Sequence, residues 1–346
     1  MIDVQYNVDL ARHTTFGISA KCDIFAEYDT VDDLVQLLCS PELQKVPIIN
    51  IGEGSNILFV SDFNGAVLHS RIYGIEIISD KGDEVLVRAG SGVCWDSFVG
   101  WAAENSLYGI ENLSSIPGTV GASAIQNIGA YGVEAKDVIF KVEAYDTVEH
   151  KNKVFSVEEC LYGYRDSMFK HTQPHERYIV THVQYRLSRK KQFNISYGAL
   201  SKMASDIDLT LHKVRDFITQ VRNKKLPDPT KNGSAGSFFK NPVVPTAIFN
   251  KLADRHPDMP HYPAEKQGFI KLSAGWLIEH AGLKGFSIGG AVVWPLQCLV
   301  IANAGNADAS DVISLMEHIQ QCVKNEFQVN LFPEVLLIPE KAILKK

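Results

Sequence analysis

The sequence predicts an α+β protein of more than one domain, on three observations. Through the first 190 residues, short apolar runs that stop at glycine alternate with short amphipathic stretches. Near residues 205–230 a longer amphipathic stretch ends in "LPDP" and breaks that rhythm. The length of 346 residues suggests about two to three domains.

Taken in order, "VDDLVQLL" (31–38) has helical spacing, with Thr30 and Asp33 placed like a capping box. "VPIINIG" (46–52) is a short apolar run ending at glycine, hence a buried strand. "GAVLHSRI" and "EVLVRAG" read as further strands. "WDSFVGWAAENS" (95–106) reads as a helix with Phe98, Val99, Trp101 and Ala102 inward. "RYIVTHVQYRL" (177–187) alternates, which puts Ile179, Val183, Tyr185 and Leu187 on one face of a half-buried strand. "LHKVRDFITQVRNKKLPDP" is an amphipathic helix carrying Leu211, Val214, Phe217, Ile218 and Val221, stopped by proline. A loop follows, then "KLSAGWLIEHAG" as a helix closed by Gly282, "VVWPLQCLVIAN" as broken strands, and "DVISLMEHIQQCVKNEF" as a helix with Val312, Met316, Ile319 and Val323 inward.

Composition narrows the class. Hydrophobic residues at 45% and charged residues at 21% suit a globular protein with a sizeable core. A net charge of −6 supplies no basic field for nucleic acid or an anionic membrane. The six cysteines are scattered without a CxxC pair or zinc spacing, so no metal site is expected and a reduced, cytosolic chain is. "MIDVQYNVDL" has no signal-peptide pattern, and no apolar run is long enough to span a bilayer.

Three glycine-rich loops follow strands: "IGEGSNILF" (51–59), "AGSGVCWDSF" (89–98) and "SIPGTVGASAIQNIGAYG" (115–132). Glycine permits positive φ and close backbone approach, so runs of N–H groups can face phosphate oxygens. The GxGxxG fingerprint fails because Ile57 stands at its third glycine position, and no GxxxxGK[ST] occurs. One such loop alone reads as a tight turn. The third is too long and too rich in small residues to pack as an element, and Ile116, Val120, Ile125 and Ile128 argue against disorder. A backbone wrapped around a pyrophosphate and a flat ring fits it.

Three side chains keep two readings each on local grounds. Arg165 in "YRDSMFK" is a carboxylate fork or a surface arginine paired with Asp166. Glu334 in "LFPEVLLI" is a carboxyl whose burial would raise its pKa, or a strand-start glutamate facing water. Ser237 in "GSAGSFFKNP" lacks a GxSxG elbow and a neighbouring histidine, so a nucleophile is disfavoured; a proton donor and a turn serine remain.

"RHTTFGI", "IGEGSNILF", "GIENLSSIPGTVGASAIQNIGAYGVE", "YRDSMFK", "KLPDP", "GSAGSFFKNP", "KLSAGWLIEHAGLKG" and "FPEVLLI" run in order from about Arg12 to Ile338. Together they resemble the UDP-N-acetylenolpyruvoylglucosamine reductase family, flavoenzymes that complete UDP-N-acetylmuramate for bacterial peptidoglycan. "NISYGAL" is similar to the tyrosine loop of the family's longer form. The resemblance implies a two-subdomain FAD-binding fold of the vanillyl-alcohol-oxidase (PCMH) type plus a C-terminal α+β substrate-binding domain. The implied divisions are 1–190 for FAD (subdomains split near 75), 191–230 for tyrosine loop, helix and linker, 231–330 for substrate, and 331–346 for a C-terminal strand carrying Glu334.

The resemblance also implies roles. Arg165, Ser237 and Glu334 would be catalytic, with Ser237 as proton donor. Non-covalent FAD would lie on Gly52, Gly54, Ser55 and Asn56 of the first loop. From the third loop it would take Ile116, Pro117, Gly118, Gly121, Ala122, Gln126, Asn127, Gly129 and Ala130. Tyr197, Lys225, Asn241 and Gln297 would reach a UDP-sugar. NADPH would be the co-substrate, using the substrate's own pocket, which accounts for the lack of a separate nucleotide motif. A monomer without nucleic-acid or membrane partners is expected. The chain departs from common family usage at Ser234, Trp294, Leu296, Phe332 and Leu336. Rival readings are a covalent flavin oxidase using His13 or Cys94, and a nucleotide-binding protein without activity.

Overall fold

The computed structural model describes residues 2–172, 176–203 and 205–339. The chain divides into two compact units, Met1–Val8, Cys22–Glu53 and Asn64–Arg222 forming one, Asp9–Lys21, Gly54–Phe63 and Asn223–Lys346 the other. Two short early pieces thus group with the C-terminal part, an exchange that the continuous division at residue 190 did not contain. Residues 340–346 of the expected C-terminal strand lie outside the described residues. Among the described residues no helix is long and apolar enough to cross a membrane.

Among the described residues the first unit has two larger sheets, beside the two-stranded pair Gly129–Ala130 and Val133–Glu134. One runs Val4–Asp9, Lys21–Tyr28, Phe63–Ser70, Ile48–Ile51 in space, the last two parallel. Its core gathers Tyr28, Leu34, Leu37, Ala66 and Leu68, with Leu34 and Leu37 supplied by the helix Val31–Leu38. Thr30 caps that helix by accepting from the Asp33 N–H at 3.0 Å, while Asp33 returns its carboxylate to the Thr30 hydroxyl rather than to the backbone. The other sheet is antiparallel, in the order Lys151–Ser156, Ile139–Asp146, Tyr178–Ser188, Glu84–Gly90, Ile75–Lys81.

The strand Tyr178–Ser188 does not keep one face throughout. Its pairing with Ile139–Asp146 shifts between Glu143 and Ala144, which skips Thr181. Side chains alternate with period two, so an extra residue swaps the faces on either side of it. Val180, Val183, Tyr185 and Leu187 therefore face the core built on Trp95 and Phe98, and Ile179 joins the other core. The expected single face holds from Val183 onward and fails at Ile179.

The helix Trp95–Glu104 buries Trp95, Phe98, Val99, Ala102 and Ala103, leaving Trp101 half-buried. Trp95 donates its indole N–H to the Leu113 carbonyl at 2.8 Å, and the Phe98 and Tyr185 rings lie 4.8 Å apart. Each such ring contributes about 1.5–3 kcal/mol by leaving water, and the Tyr185 hydroxyl meets Ser123 Oγ at 3.1 Å. That last bond fixes a helix, Val120–Gln126, inside the third glycine loop. The expectation that this stretch could not pack as an element was wrong. Small residues let it seat tightly: a Cβ on Gly121 would fall 2.7 Å from Ser91 Cβ.

The second unit holds a sheet ordered Ser234–Ser237, Val300–Asn303, Ala291–Val293, Ser287–Ile288. A three-stranded sheet, Val243–Pro245, Phe269–Leu272, His261–Pro263, and the parallel pair Ile57–Phe59 with Leu336–Ile338 complete it. The long helix Ala309–Phe327 buries Val312, Met316, Ile319 and Val323, as its spacing requires. Two boundaries differ from expectation. "KLSAGWLIEHAG" begins as strand through Leu272, and its helix is Ala274–His280 with Ser273 as N-cap. "SAGS" is a strand instead of a loop, because Val300–Asn303 offers it a partner.

Candidate functional site

In the first unit the second and third glycine loops interlock. Val120 and Gly121 donate their N–H groups to the carbonyls of Val93 and Ser91 at 2.9 and 3.0 Å, and Trp95 N donates to Gly118 O at 2.9 Å. The Gly118 N–H goes to Glu53 Oε2 at 2.8 Å, and a Cβ on Gly52 would fall 2.4 Å from Thr119 Oγ1. Gly52 and Gly121 are thus required by neighbouring side-chain atoms that leave no room for a Cβ. The Val120 and Gly121 N–H groups serve carbonyls of the protein itself, and the Gly118 N–H serves the Glu53 carboxylate.

The far end of the loop is equally constrained. Asn127 ends the helix at φ 45°, a left-handed conformation that asparagine tolerates. Its buried side chain donates to Gly163 O (2.9 Å) and Glu134 Oε2 (3.1 Å) and accepts from Lys136 N (3.0 Å). Gln126 accepts from Lys170 Nζ at 2.9 Å, and Ser167 Oγ donates to Ile125 O at 2.6 Å. Asn127 and Gln126 thereby tie the loop to the segment bearing Arg165.

Arg165 itself has φ 54°, a strained backbone for a non-glycine residue. Its guanidinium donates to the carbonyls of Asn127, at 3.3 Å, and Gly129. The Asp166 carboxylate is engaged by His171 at 2.7 Å. The Arg165 guanidinium thus reaches the carbonyls of the third loop. Tyr197, 41% exposed, packs on the same loop: a Cβ on Gly132 would lie 3.3 Å from Tyr197 Cβ.

Sequence reading missed Arg222. It sits on the helix Leu211–Lys225 in register with the buried Leu211, Val214 and Ile218, and an arginine on the apolar face was the available signal. Arg215, Thr219 and Arg222 of that helix hold Ser114 and Ser115, with Arg222 Nε donating to Ser115 O at 3.1 Å. Burial holds the Arg222 pKa below the usual guanidinium range. Among the described residues that is its one hydrogen bond to protein, so a half-buried cation keeps spare donors beside the third loop. Ile116, Ile125, Ile128 and Ala130 are half-buried against the core below. A cation with spare donors and an apolar wall of small relief fit the diphosphate and flat ring of FAD.

In the second unit, a shift of register between Ser234 and Ser237 and a left-handed Gly236 (φ +72°) deliver Ser237 exposed at the strand end. Glu334 N donates to Phe238 O at 2.8 Å, Phe239 bridges Pro333, and Asn56 Nδ2 donates to Glu334 O at 3.2 Å. Ser237 and Glu334 therefore come from adjacent chain segments, with Asn56 steadying the second. Glu334 is half-buried and precedes the strand Leu336–Ile338 instead of lying in it. Asn241 Oδ1 accepts from Ala274 N at 2.9 Å, and Lys225 is exposed at a helix end. Gln297 lines a cavity of about 230 Å³ with Trp276, Lys284 and Leu296. Gly54 packs against His13: a Cβ there would meet the His13 carbonyl at 2.3 Å.

The family model described as "FAD binding domain" matches residues 22–149, and "UDP-N-acetylenolpyruvoylglucosamine reductase, C-terminal domain" matches residues 228–338. A solved structure of UDP-N-acetylenolpyruvylglucosamine reductase from Thermus caldophilus shares the fold at TM-score 0.69 and 24% identity, covering 98% of this chain and 100% of that one. The Neisseria gonorrhoeae UDP-N-acetylenolpyruvoylglucosamine reductase is 42% identical over 343 residues, 98% of this chain and 99% of that protein. The Bacteroides fragilis protein of the same name is 43% identical over 336 residues, 97% of this chain and 100% of its own length. Identity at that level along both whole chains places this protein in the UDP-N-acetylenolpyruvoylglucosamine reductase family.

Proposed function

We propose that this chain uses NADPH and non-covalently bound FAD to reduce UDP-N-acetylglucosamine enolpyruvate to UDP-N-acetylmuramate. The observation that carries the reading is the exposed Ser237 hydroxyl on a strand beside the Glu334 segment, in a chain with an FAD-binding domain. When bound, FAD would supply a hydride acceptor and donor at N5, between NADPH and the methylene carbon of the enolpyruvyl ether. Hydride addition there builds negative charge at the α-carbon and its carboxylate. Arg165, oriented by the Asn127 and Gly129 carbonyls, supplies the cation for that carboxylate. Glu334 acts on the same carboxylate, and Ser237 donates the proton that completes the α-carbon. Lys225, Tyr197, Asn241 and Gln297 hold the UDP-sugar, and NADPH precedes it in the same pocket. On this reading the enzyme acts as a cytosolic monomer; a net charge of −6 supplies no basic field for nucleic acid or an anionic membrane.

Stopped-flow absorbance of each half-reaction tests it. Ser237→Ala should leave flavin reduction by NADPH nearly intact and slow reoxidation by the enolpyruvyl substrate about 10²- to 10⁴-fold. Ser237→Cys should keep part of the activity, since a thiol still carries a proton. Reoxidation of the alanine variant at wild-type speed would leave Ser237 a turn residue. Acid-precipitated protein should release its flavin to the supernatant; colour retained in the pellet would contradict non-covalent binding.

A further inference from the structure

The hairpin loop that carries Gln297 also touches Lys225, and the contact is made by one side chain. Trp294 Nε1 donates to the Lys225 carbonyl at 3.0 Å. Lys225 is the last residue of its helix, and the final carbonyls of a helix have no partner within it. Pro227 stops the chain from supplying another turn. Trp294 therefore closes a helix end that would otherwise be held by water.

The loop behind the indole is itself fixed. Trp294 N donates to Val300 O, Val300 N to Gln297 O, and Gln297 N to Trp294 O, at 2.9, 2.9 and 3.1 Å. Pro295 occupies the second position of the resulting turn, where its fixed φ belongs. Gln297 Oε1 lies 3.1 Å from where a Cβ on Gly275 would stand, so that glycine leaves room for the amide. Trp294 is thus both the first residue of the turn that presents Gln297 and the partner of the Lys225 backbone.

We propose that Trp294 is a positioning residue that sets the spacing between Lys225 and Gln297, and so the grip on the nucleoside-diphosphate sugar. This rests on the proposed function, which assigns those two residues to the substrate. A phenylalanine keeps the ring and loses the N–H; a histidine keeps a ring N–H at similar reach. In the holoenzyme, Trp294→Phe should raise the KM for the enolpyruvyl substrate about fivefold, the worth of one net hydrogen bond. Its kcat should change by less than about twofold, with flavin content and melting temperature unchanged. Trp294→His should restore most of the KM. Adding Trp294→Phe to Lys225→Ala should raise the KM no further than Lys225→Ala alone, because the indole acts through that residue.

The outcomes separate the two ideas. A raised KM in Lys225→Ala with a wild-type KM in Trp294→Phe overturns the positioning role and leaves the substrate assignment standing. Additive effects in the double variant overturn it too, by showing that Trp294 acts elsewhere. A parallel fall of melting temperature and both kinetic constants would make Trp294 structural only. A wild-type KM in Lys225→Ala removes the lysine from the substrate site and the positioning role with it.

Discussion

Glycine does opposite work in the flavin-loop region and in the serine strand. At Gly121 the missing side chain matters as volume: a Cβ would lie 2.7 Å from Ser91 Cβ and 3.3 Å from the Ser91 backbone. At Gly236 it matters as conformation: φ is +72° and nothing lies within 4 Å of a built Cβ. The first region is held by close packing. The second presents one exposed hydroxyl on a backbone bend. The lesson is that a glycine-rich motif does not by itself mark a phosphate cradle, and that the surroundings decide which property of glycine is in use.

The largest effect should come from filling the packed region. Gly121→Val should cost about 3 kcal/mol, the upper end of overpacking, because Ser91 Cβ is fixed by its own backbone and cannot swing away. Ser91 and Val93 would part from the Val120–Gln126 helix, and bound flavin should be lost with them. Thermal denaturation and the flavin-to-protein absorbance ratio after gel filtration measure both. A variant that melts like wild type and keeps its flavin would break the contrast between the two glycines.

How much of this was readable beforehand follows the same division. Elements with a periodic apolar face, such as Ala309–Phe327, were legible because burial is written in their spacing. The helix Val120–Gln126 was not, since glycine, alanine and serine carry no apolar stripe and the seat is made by Ser91 and Tyr185, distant in sequence. The face swap at Thr181 was hidden for a related reason: register belongs to a pair of strands. Among the candidate residues, Arg165, Ser237 and Glu334 stood out through family resemblance, while local residues left each with two readings. The Glu334–Phe238 pairing and the Arg222–Ser115 hydrogen bond are long-range facts that no local window contains.

Acid should sharpen the comparison with an intermediate effect. The sheet below the flavin loops carries two carboxylates on one strand, Glu143 and Asp146. Burial alone would raise both pKa values, yet Arg88 and Gln184 hold Glu143 below its usual range. Lys153, the Glu149 and Val148 N–H groups and Arg177 hold Asp146 well below its own. A depressed folded pKa gives stability that is complete above the unfolded value, about 3.9 for Asp and 4.3 for Glu, and is lost as pH falls toward the folded value. Glu279 and Asp308 of the second unit are also depressed but are exposed surface groups, worth less. Below about pH 4 the first unit should therefore weaken first, releasing flavin before the second unit's tryptophans are exposed. Asp146→Asn should cost about 2 kcal/mol at pH 7, and its gap from wild type in urea midpoint should close below that pH. A gap constant down to pH 2.5, on the order of 1.5 units below the unfolded value, would remove Asp146 from the account.

The smallest effect is expected at Gly236, and it isolates conformation from volume. Alanine there meets no atom, so packing predicts no cost. A left-handed residue with a Cβ costs about 1 kcal/mol, partly offset because alanine also loses less chain entropy on folding. Gly236→Ala should thus lower stability by roughly 1 kcal/mol or less and leave flavin content unchanged, in contrast to Gly121→Val. The bend also sets where Ser237 emerges from the strand. A residue that prefers negative φ would relax that bend and misplace the hydroxyl, so flavin reoxidation by the enolpyruvyl substrate should slow more than the stability loss explains. Placing asparagine there, which tolerates left-handed backbone, should recover part of the rate. If Gly236→Ala reoxidises at wild-type speed, the bend does not aim the serine. If Gly236→Ala loses its flavin, the two glycines differ less than their surroundings say.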